Sequence, residues 1–246
     1  MSSSVKTSVI YEPRGKAREY AQLAVNLYSG CGHRCEYCYS PACIRATREE
    51  FHQPKPRKDI ILKINQDAEK LQQIHETRSV LLCFTCDPYQ PIEEQHLLTR
   101  KAIQILHSHG LNVMILTKGG RRAERDFDLL TSRDWFGVTL TNLDNTLSSR
   151  WEPGAALPEE RINSLYQAHE NGIKTWVSLE PVLCPETTLE LIRMTYKFVD
   201  TFKVGTLNYH QHARNIDWHR FAVDVRSLLL KLDAVYYLKE DLRKWL

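Results

Sequence analysis

Short runs of β-branched and aromatic residues alternate with longer stretches in which apolar residues recur every three or four positions. The runs fall at 25–29, 80–85, 112–117, 135–141, 175–179 and 202–207 and read as strands. Residues 59–75 place Ile60, Ile61, Ile64, Ala68 and Leu71 near one helical face, and 94–107 do the same with Leu97, Leu98, Ala102, Ile105 and Leu106. Gly110 follows the second stretch as its expected C-terminal cap. Further helices are expected over 159–169, closed by Asn171-Gly172, and over 187–198, 218–232 and 238–245. Six strands, each followed by a helix, imply a parallel sheet with right-handed crossovers. An open doubly wound sheet and an incomplete barrel both satisfy this pattern. In either architecture ligands gather at the C-terminal ends of the strands. Segments 31–38, 85–89, 117–120, 139–144, 178–181 and 205–210 follow the strands and are unusually polar.

Composition narrows the class. The 246 residues are 42% hydrophobic and 26% charged, the profile of a globular chain. No apolar run approaches the ~20 residues of a membrane helix. The N-terminus lacks the apolar stretch of a signal peptide, so a cytoplasmic protein is expected. Length and pattern are consistent with one domain over 1–246, with a core at about 22–210 and C-terminal helices over 217–246. The net charge of 33 − 30 = +3 neither demands nor excludes nucleic acid.

Cysteine placement changes the picture more. There are seven, at 31, 35, 38, 43, 83, 86 and 184. An odd count without an export signal argues against a disulfide framework. Cys31, Cys35 and Cys38 fall within eight residues, in Gly30-Cys31-Gly32-His33-Arg34-Cys35-Glu36-Tyr37-Cys38, directly after the first strand. Soft thiolates at this spacing suit an iron–sulfur cluster or zinc. Three ligands on one loop can hold three irons of a cubane and leave the fourth open. A structural zinc wants a fourth ligand, and His33 and Cys43 keep that reading open.

This C-x-x-x-C-x-aromatic-C motif, with Tyr37 at the aromatic position, closes the first strand of a (β/α)6 pattern. The chain thereby resembles the radical S-adenosylmethionine superfamily over roughly residues 22–210. Tyr28-Ser29-Gly30-Cys31, Asp87-Pro88-Tyr89-Gln90-Pro91-Ile92-Glu93 and Leu116-Thr117-Lys118 are similar to the spore photoproduct lyase-like branch. The resemblance implies an incomplete (β/α)6 TIM-like barrel. It implies a [4Fe–4S] cluster on Cys31, Cys35 and Cys38, with S-adenosylmethionine on the open iron. An electron from a flavodoxin- or ferredoxin-type reductant would cleave the cofactor, and the deoxyadenosyl radical would abstract hydrogen from a substrate. That substrate is unassigned, with a DNA lesion as the branch's example.

Other positions carry over residue by residue. The resemblance puts the Tyr37 backbone near the adenine and Thr85-Cys86-Asp87 near the cofactor's amino group, with Asp87 as acceptor. Lys118 becomes the partner of the cofactor carboxylate, and Gly119-Gly120 would let backbone approach a ligand. Thr139 and Thr141, two apart, face one side and either line the interior or serve β propensity. Glu180, Asn208 and Tyr209 end later strands toward the substrate. The branch's lyase returns hydrogen from a cysteine near the second strand end. Here Cys83 and Cys86 flank that position, and a regular strand would aim them oppositely. Cys86 lies nearer the C-terminal end and is the favoured donor.

Weaker constellations remain. His210, His212 and His219 lie in a polar segment and read as solvated. Arg14, Lys16, Arg18, Arg45, Arg48, Arg57 and Lys58 would form a basic rim suited to a phosphate-bearing substrate. Two rivals stand beside the enzyme: a zinc-stabilised nucleic-acid-binding module, and an iron–sulfur electron carrier without catalysis.

Overall fold

A single parallel sheet of seven strands organises the computed structural model, which describes residues 7–246. In chain order its strands are β1 (Leu23–Val25), β2 (Val80–Leu82), β3 (Val113–Thr117), β4 (Trp135–Thr139), β5 (Lys174–Leu179), β6 (Thr201–Val204) and β7 (Tyr236–Leu238). Spatial order equals chain order, and every neighbouring pair is parallel. The long helices are α1 (Ile60–Gln73), α2 (Leu98–Ser108), α3 (Pro158–Glu170), α4 (Pro185–Thr195) and α5 (Trp218–Lys231). The result is the expected incomplete barrel with one strand more than the pattern predicts. β7 lies inside the C-terminal segment expected to be helical, and only the turn Glu240–Arg243 follows it as helix. The first predicted strand also divides. Leu23–Val25 joins the sheet, while Tyr28–Ser29 pairs antiparallel with Lys55–Pro56.

The two sheet faces differ in what they bury. Val25, Val80, Leu82, Ile115, Phe136, Val138, Val177, Phe202 and Val204 point outward into one large apolar core. There they meet Ile64 and Ala68 of α1, Ile103 of α2, Leu165 of α3, Ile192 of α4 and Val225 of α5. The concave face carries a much smaller cluster of Ala24, Leu81 and Trp176, edged by Tyr20, Phe84, Met114, Leu116 and Trp135. Trp176 lies across Gly137, where a Cβ would come within 2.3 Å of the indole nitrogen. The indole N–H donates to the Ile115 carbonyl at 2.9 Å.

The segment before β1 closes the open side of the half-barrel. Tyr11 and Ala24 exchange backbone hydrogen bonds of 2.9 Å at the β1 edge. The chain then crosses to the far edge. There the Glu19 carboxylate accepts from Tyr237 Oη at 3.0 Å and from the Glu240 N–H at 2.8 Å. The β1 edge is therefore met by the chain's own backbone, which blunts its capacity to pair with another molecule, while at the β7 end the contact is made by the Glu19 side chain.

Candidate active site

The loop after β1 carries the three clustered cysteines, and its shape is fixed from two sides. Gly30 has φ +88°, and a Cβ there would sit 2.5 Å from the Phe51 carbonyl oxygen. Glycine alone permits that approach, which lets the Cys31 N–H donate to Phe51 at 2.8 Å. Buried Gln90 clamps the loop. Its Oε1 accepts from the Gly32 N–H at 2.7 Å, and its Nε2 donates to the Gly30 carbonyl at 3.3 Å. From the opposite side the segment after β4 closes down: the Gly154 N–H donates to His33 O at 2.9 Å, and the Glu36 N–H to Trp151 O at 2.8 Å. Cys35 is buried, while Cys31 and Cys38 are half-buried. Burial pushes the Cys35 thiol up to about 12, with nearby Lys118 pulling the other way.

His33 does not turn toward the thiols as a zinc ligand would. It is buried, with Nδ1 3.4 Å from Asp87 Oδ2 and Nε2 3.4 Å from the Arg122 guanidinium. Burial lowers its pKa despite Asp87. Among the described residues, no three His, Cys, Asp or Glu side chains converge as a single-ion site requires. Three thiols on one loop are a ligand set suited to an iron–sulfur cluster.

Asp87 is already engaged within the protein. Its Oδ1 accepts from the Tyr89 N–H at 2.8 Å and Thr117 Oγ1 at 2.6 Å, and its Oδ2 accepts from the Lys118 N–H at 2.7 Å. Burial opposes its charge, but His33 and these donors outweigh burial and hold the carboxyl below the usual range. Asp87 thus ties the loop after β2 to the end of β3 as well as facing the mouth. Thr85 is half-buried, and its N–H donates to Asn26 Oδ1 at 2.8 Å. Gly119 makes room for Tyr89 rather than for a ligand: a Cβ there would meet Tyr89 Cβ at 2.5 Å.

Lys118 ends β3 beside Cys35. Its Nζ lies 5.8 Å from the centre of the Tyr37 ring. Burial disfavours its charge, yet Cys35 and Glu152 outweigh that and raise its pKa. The Tyr37 hydroxyl donates to Glu152, whose other oxygen pairs with Arg161 at 2.6 Å. Arg161 also donates to the carbonyls of Ala156 at 2.8 Å and Thr139 at 3.1 Å. Thr139 and Thr141 are both buried. The Thr141 hydroxyl has no partner among the described residues, a costly arrangement that a polar ligand would relieve.

Cys83 and Cys86 are brought together, not opposed. Cys83 adopts φ +64°, which ends the regular strand and cancels the expected alternation. Its sulfur lies in the outer core and accepts from the Leu27 N–H at 3.5 Å. Cys86 packs against the same core and donates to the Tyr28 carbonyl at 3.5 Å. Phe84 between them is the side chain that reaches the concave cluster.

The wall across the mouth is built from charges. The Glu180 carboxylate accepts from Tyr20 Oη, Lys239 Nζ and, at 3.5 Å, Asn208 Nδ2. Gly205 leaves the space Glu180 occupies. Below, Lys203 Nζ donates to the carbonyls of Glu19 at 3.0 Å and Tyr20 at 2.7 Å. Tyr209 is 84% exposed and stands outside this network. His210 and His212 pack edge-on or tilted against Trp151, and His212 contacts the Leu183 carbonyl at 2.9 Å.

Sequence reasoning missed Glu152, Arg161, Gly154, Tyr20 and Lys239, which sit on segments without motif. Gln90 lies inside the quoted Asp87–Glu93 phrase, but its clamp depends on a loop 58 residues away in sequence.

A parallel half-barrel with a braced three-cysteine loop after its first strand is an α/β architecture whose site suits a thiolate-held cluster. The Radical SAM superfamily model matches residues 25–199, and the chain belongs to that superfamily. An uncharacterized protein of Methanocaldococcus jannaschii is 28% identical over 191 residues, covering 76% of this chain and 71% of its own length. One of Mycobacterium tuberculosis is 29% identical over 180 residues, 68% of this chain but 51% of its own length. This chain thus spans about half of that relative. Among solved structures, spore photoproduct lyase complexed with dinucleoside spore photoproduct superposes with TM-score 0.71 at 14% identity, over 93% of this chain and 79% of that one. Streptococcus suis SuiB bound to S-adenosylmethionine gives TM-score 0.66 at 14% identity, over 87% and 49%. At such identities these likenesses concern the fold. Membership makes the protein a radical S-adenosylmethionine enzyme, with a [4Fe–4S] cluster and S-adenosylmethionine as cofactors. No helix among the described residues is long and apolar enough to cross a membrane.

Proposed function

We propose that Cys31, Cys35 and Cys38 hold the cluster, that Lys118 and Thr141 bind S-adenosylmethionine beside it, and that substrate enters from the Glu180 side of the mouth. The observation carrying this reading is the loop itself. Gln90 and Gly154 brace the loop that carries the three thiols after β1, and half-buried Lys118 stands beside Cys35 and Tyr37. When bound, the cofactors supply one-electron cleavage of a carbon–sulfur bond and a carbon radical able to take hydrogen. The chain's own part is to bind, orient and exclude water. Lys118, held cationic, offers its charge to a carboxylate. Thr141 supplies a hydroxyl for a polar group. Tyr37, fixed by Glu152 and Arg161, keeps the loop's backbone in place. Trp176, Phe84 and Tyr20 close the floor, so a radical formed above them meets little water.

Anaerobic reconstitution tests this. About four iron and four sulfide per chain are expected, as for cysteine-held cubanes, and alanine at Cys31, Cys35 or Cys38 should abolish both, while Cys184→Ala should not. Lys118→Ala should keep the cluster and lose S-adenosylmethionine affinity. Stoichiometric zinc without sulfide in protein prepared without air would overturn the reading.

A lyase acting on a nucleic-acid lesion in the cytoplasm is the second reading, supported by the fold shared with spore photoproduct lyase. In that reading a thiol returns hydrogen to the product radical, and half-buried Cys86 is the donor candidate ahead of buried Cys83. Cys86 packs at the edge of the outer core with its thiol on the Tyr28 carbonyl, so the donor role needs that contact to open. Incubation with dinucleoside spore photoproduct decides. No turnover removes the lyase and leaves the radical enzyme standing.

A further inference from the structure

Behind the cysteine loop, on the helix-covered side of the sheet, Lys55, Arg57, Lys58 and Lys63 line a groove of about 490 Å³ floored by Val9 and Ile60. Among the described residues no acidic side chain lines it. Lys55, Arg57 and Lys58 are exposed, and Lys63 is half-buried. Arg57 donates to the Tyr28 carbonyl at 3.4 Å and Lys63 to the Lys58 carbonyl at 3.0 Å. These acceptors are neutral; Glu50 near Lys55 and Asp59 beside Lys58 offset part of the charge and leave an excess of cations. The groove meets the N-terminus of α1, where Asp59 is the N-cap and the first turn itself holds no acidic residue. The basic rim expected from sequence is therefore divided. Arg57 and Lys58 belong to this groove, whereas Arg48 bonds the Glu36 carbonyl at 2.7 Å and Lys16 pairs with Asp241 across the molecule.

The groove's place matters more than its charge. Ser29 is in its wall, paired with Lys55, and stands two residues before Cys31. Two residues span at most about 7 Å. An occupant of the groove is thus close to the first cluster ligand without entering the mouth. A substrate laid there would have the β1 wall between it and the radical, whereas an electron carrier needs nearness to the cluster alone. Half-buried Val9, backed by buried Ile60, gives the basic margin a small apolar centre, as protein interfaces combine an apolar centre with a polar rim.

We propose that this groove docks an acidic one-electron carrier protein, bearing a flavin or an iron–sulfur centre, that reduces the cluster through the wall at Ser29. One electron leaves the reduced carrier and one enters the cluster, and no bond or proton changes hands. The inference rests on the cluster assignment above, and the measurements separate the two. The variant Lys55→Glu/Lys58→Glu and its milder form Lys55→Gln/Lys58→Gln are reconstituted alongside wild type. Bleaching of cluster absorbance is followed after mixing with reduced flavodoxin or with dithionite. Binding of oxidised flavodoxin to cluster-free protein is measured separately.

Charged groups at an interface rim act mainly on the association rate. Flavodoxin-driven reduction should fall about 10-fold or more at low ionic strength in the charge-reversed form, and less in the glutamine form. Dithionite reduction and iron content should match wild type. Flavodoxin binding by the cluster-free variant should weaken in parallel, and added salt should slow wild type but not the variant. Equal flavodoxin rates in wild type and variant would overturn the proposal. So would unchanged carrier reduction with lost binding of a single-stranded oligonucleotide, which would assign the groove to nucleic acid. Failure of wild type to take up a cluster at all would count against the cluster assignment instead.

Discussion

The two walls of the mouth are held by different physics. On the cysteine side the loop's backbone is held by neutral contacts, a glutamine clamp on Gly30 and Gly32 and backbone closure of Gly154 onto His33, with one ion pair, Glu152–Arg161, behind Tyr37. On the Glu180 side they are ionic and span the whole chain, joining Tyr20 before β1, Glu180 after β5 and Lys239 after β7. The neutral wall leaves little slack, because backbone packs against backbone: a Cβ at Gly154 would reach the Gly32 carbonyl. The ionic wall ties the first and last elements of the half-barrel, and it can rearrange when a charge changes. A rigid wall suits a cluster whose geometry does not vary. A wall of charges suits recognition of whatever substrate enters.

The largest expected effect tests the ionic wall. Lys239 is 4% exposed and is the cation beside Glu180. Removing one member of a buried pair leaves an uncompensated charge, typically about 3–5 kcal/mol. Lys239→Met should lower unfolding free energy by that amount in denaturant titrations. Glu180→Gln/Lys239→Met should recover most of it. A cost below about 1 kcal/mol for the single variant would show that charge does not hold this wall.

The neutral wall gives the next effect. A Cβ at Gly154 would stand 2.2 Å from the Gly32 carbonyl oxygen, against backbone that cannot step aside. Gly154→Ala should cost about 1–3 kcal/mol, the range of overpacking, and cluster incorporation should drop with it. Gly205→Ala is the control, since its Cβ would meet the Glu180 side chain at 2.6 Å, and a side chain can rotate. Equal losses of cluster in the two variants would erase the distinction between the walls.

The same contrast explains what was legible in the sequence. The sheet, the long helices and the place of the site followed from periodicity, which burial on one helix face or on both strand faces writes directly into residue type. The cysteine loop was legible because its chemistry is local. β7 was not, since Tyr236–Leu238 is too short to show a period and follows a helix without a turn signature. The alternation argument for Cys83 and Cys86 failed at one backbone angle, φ +64° at Cys83. No residue type announces that angle in a cysteine. Glu180 was placed at the mouth, but its partners Tyr20 and Lys239 were not, because only the closed fold brings together segments about 220 residues apart.

The smallest effect concerns a cation of the ionic wall that has no carboxylate within hydrogen-bonding distance. Lys203 points inward from β6 between Trp176 and Tyr20, with ring centres 5.1 and 5.8 Å from Nζ. Burial first, and the charge of Lys239 second, lower its pKa to about 8, with Glu19 opposing. In the unfolded chain the same group titrates near 10.4. Between these values the unfolded state binds more protons than the folded one, so stability rises with pH across that window. Below about pH 8 the fold carries the full cost of a charged, buried amine. The shift corresponds to about 3 kcal/mol at 1.36 kcal/mol per unit, and partial solvent screening reduces this to about 1–2. Lys203→Met removes the titration while losing two hydrogen bonds to carbonyls, a loss that does not depend on pH. The difference in unfolding free energy, wild type minus variant, should therefore increase by about 1–2 kcal/mol from pH 7.5 to pH 10.5. Denaturant unfolding at both pH values measures it. A difference that stays constant would mean that Lys203 titrates normally and that water reaches the floor of the mouth. A difference that decreases would mean that the amine is stabilised as a cation, which would make the ionic wall as fully paired as the neutral one.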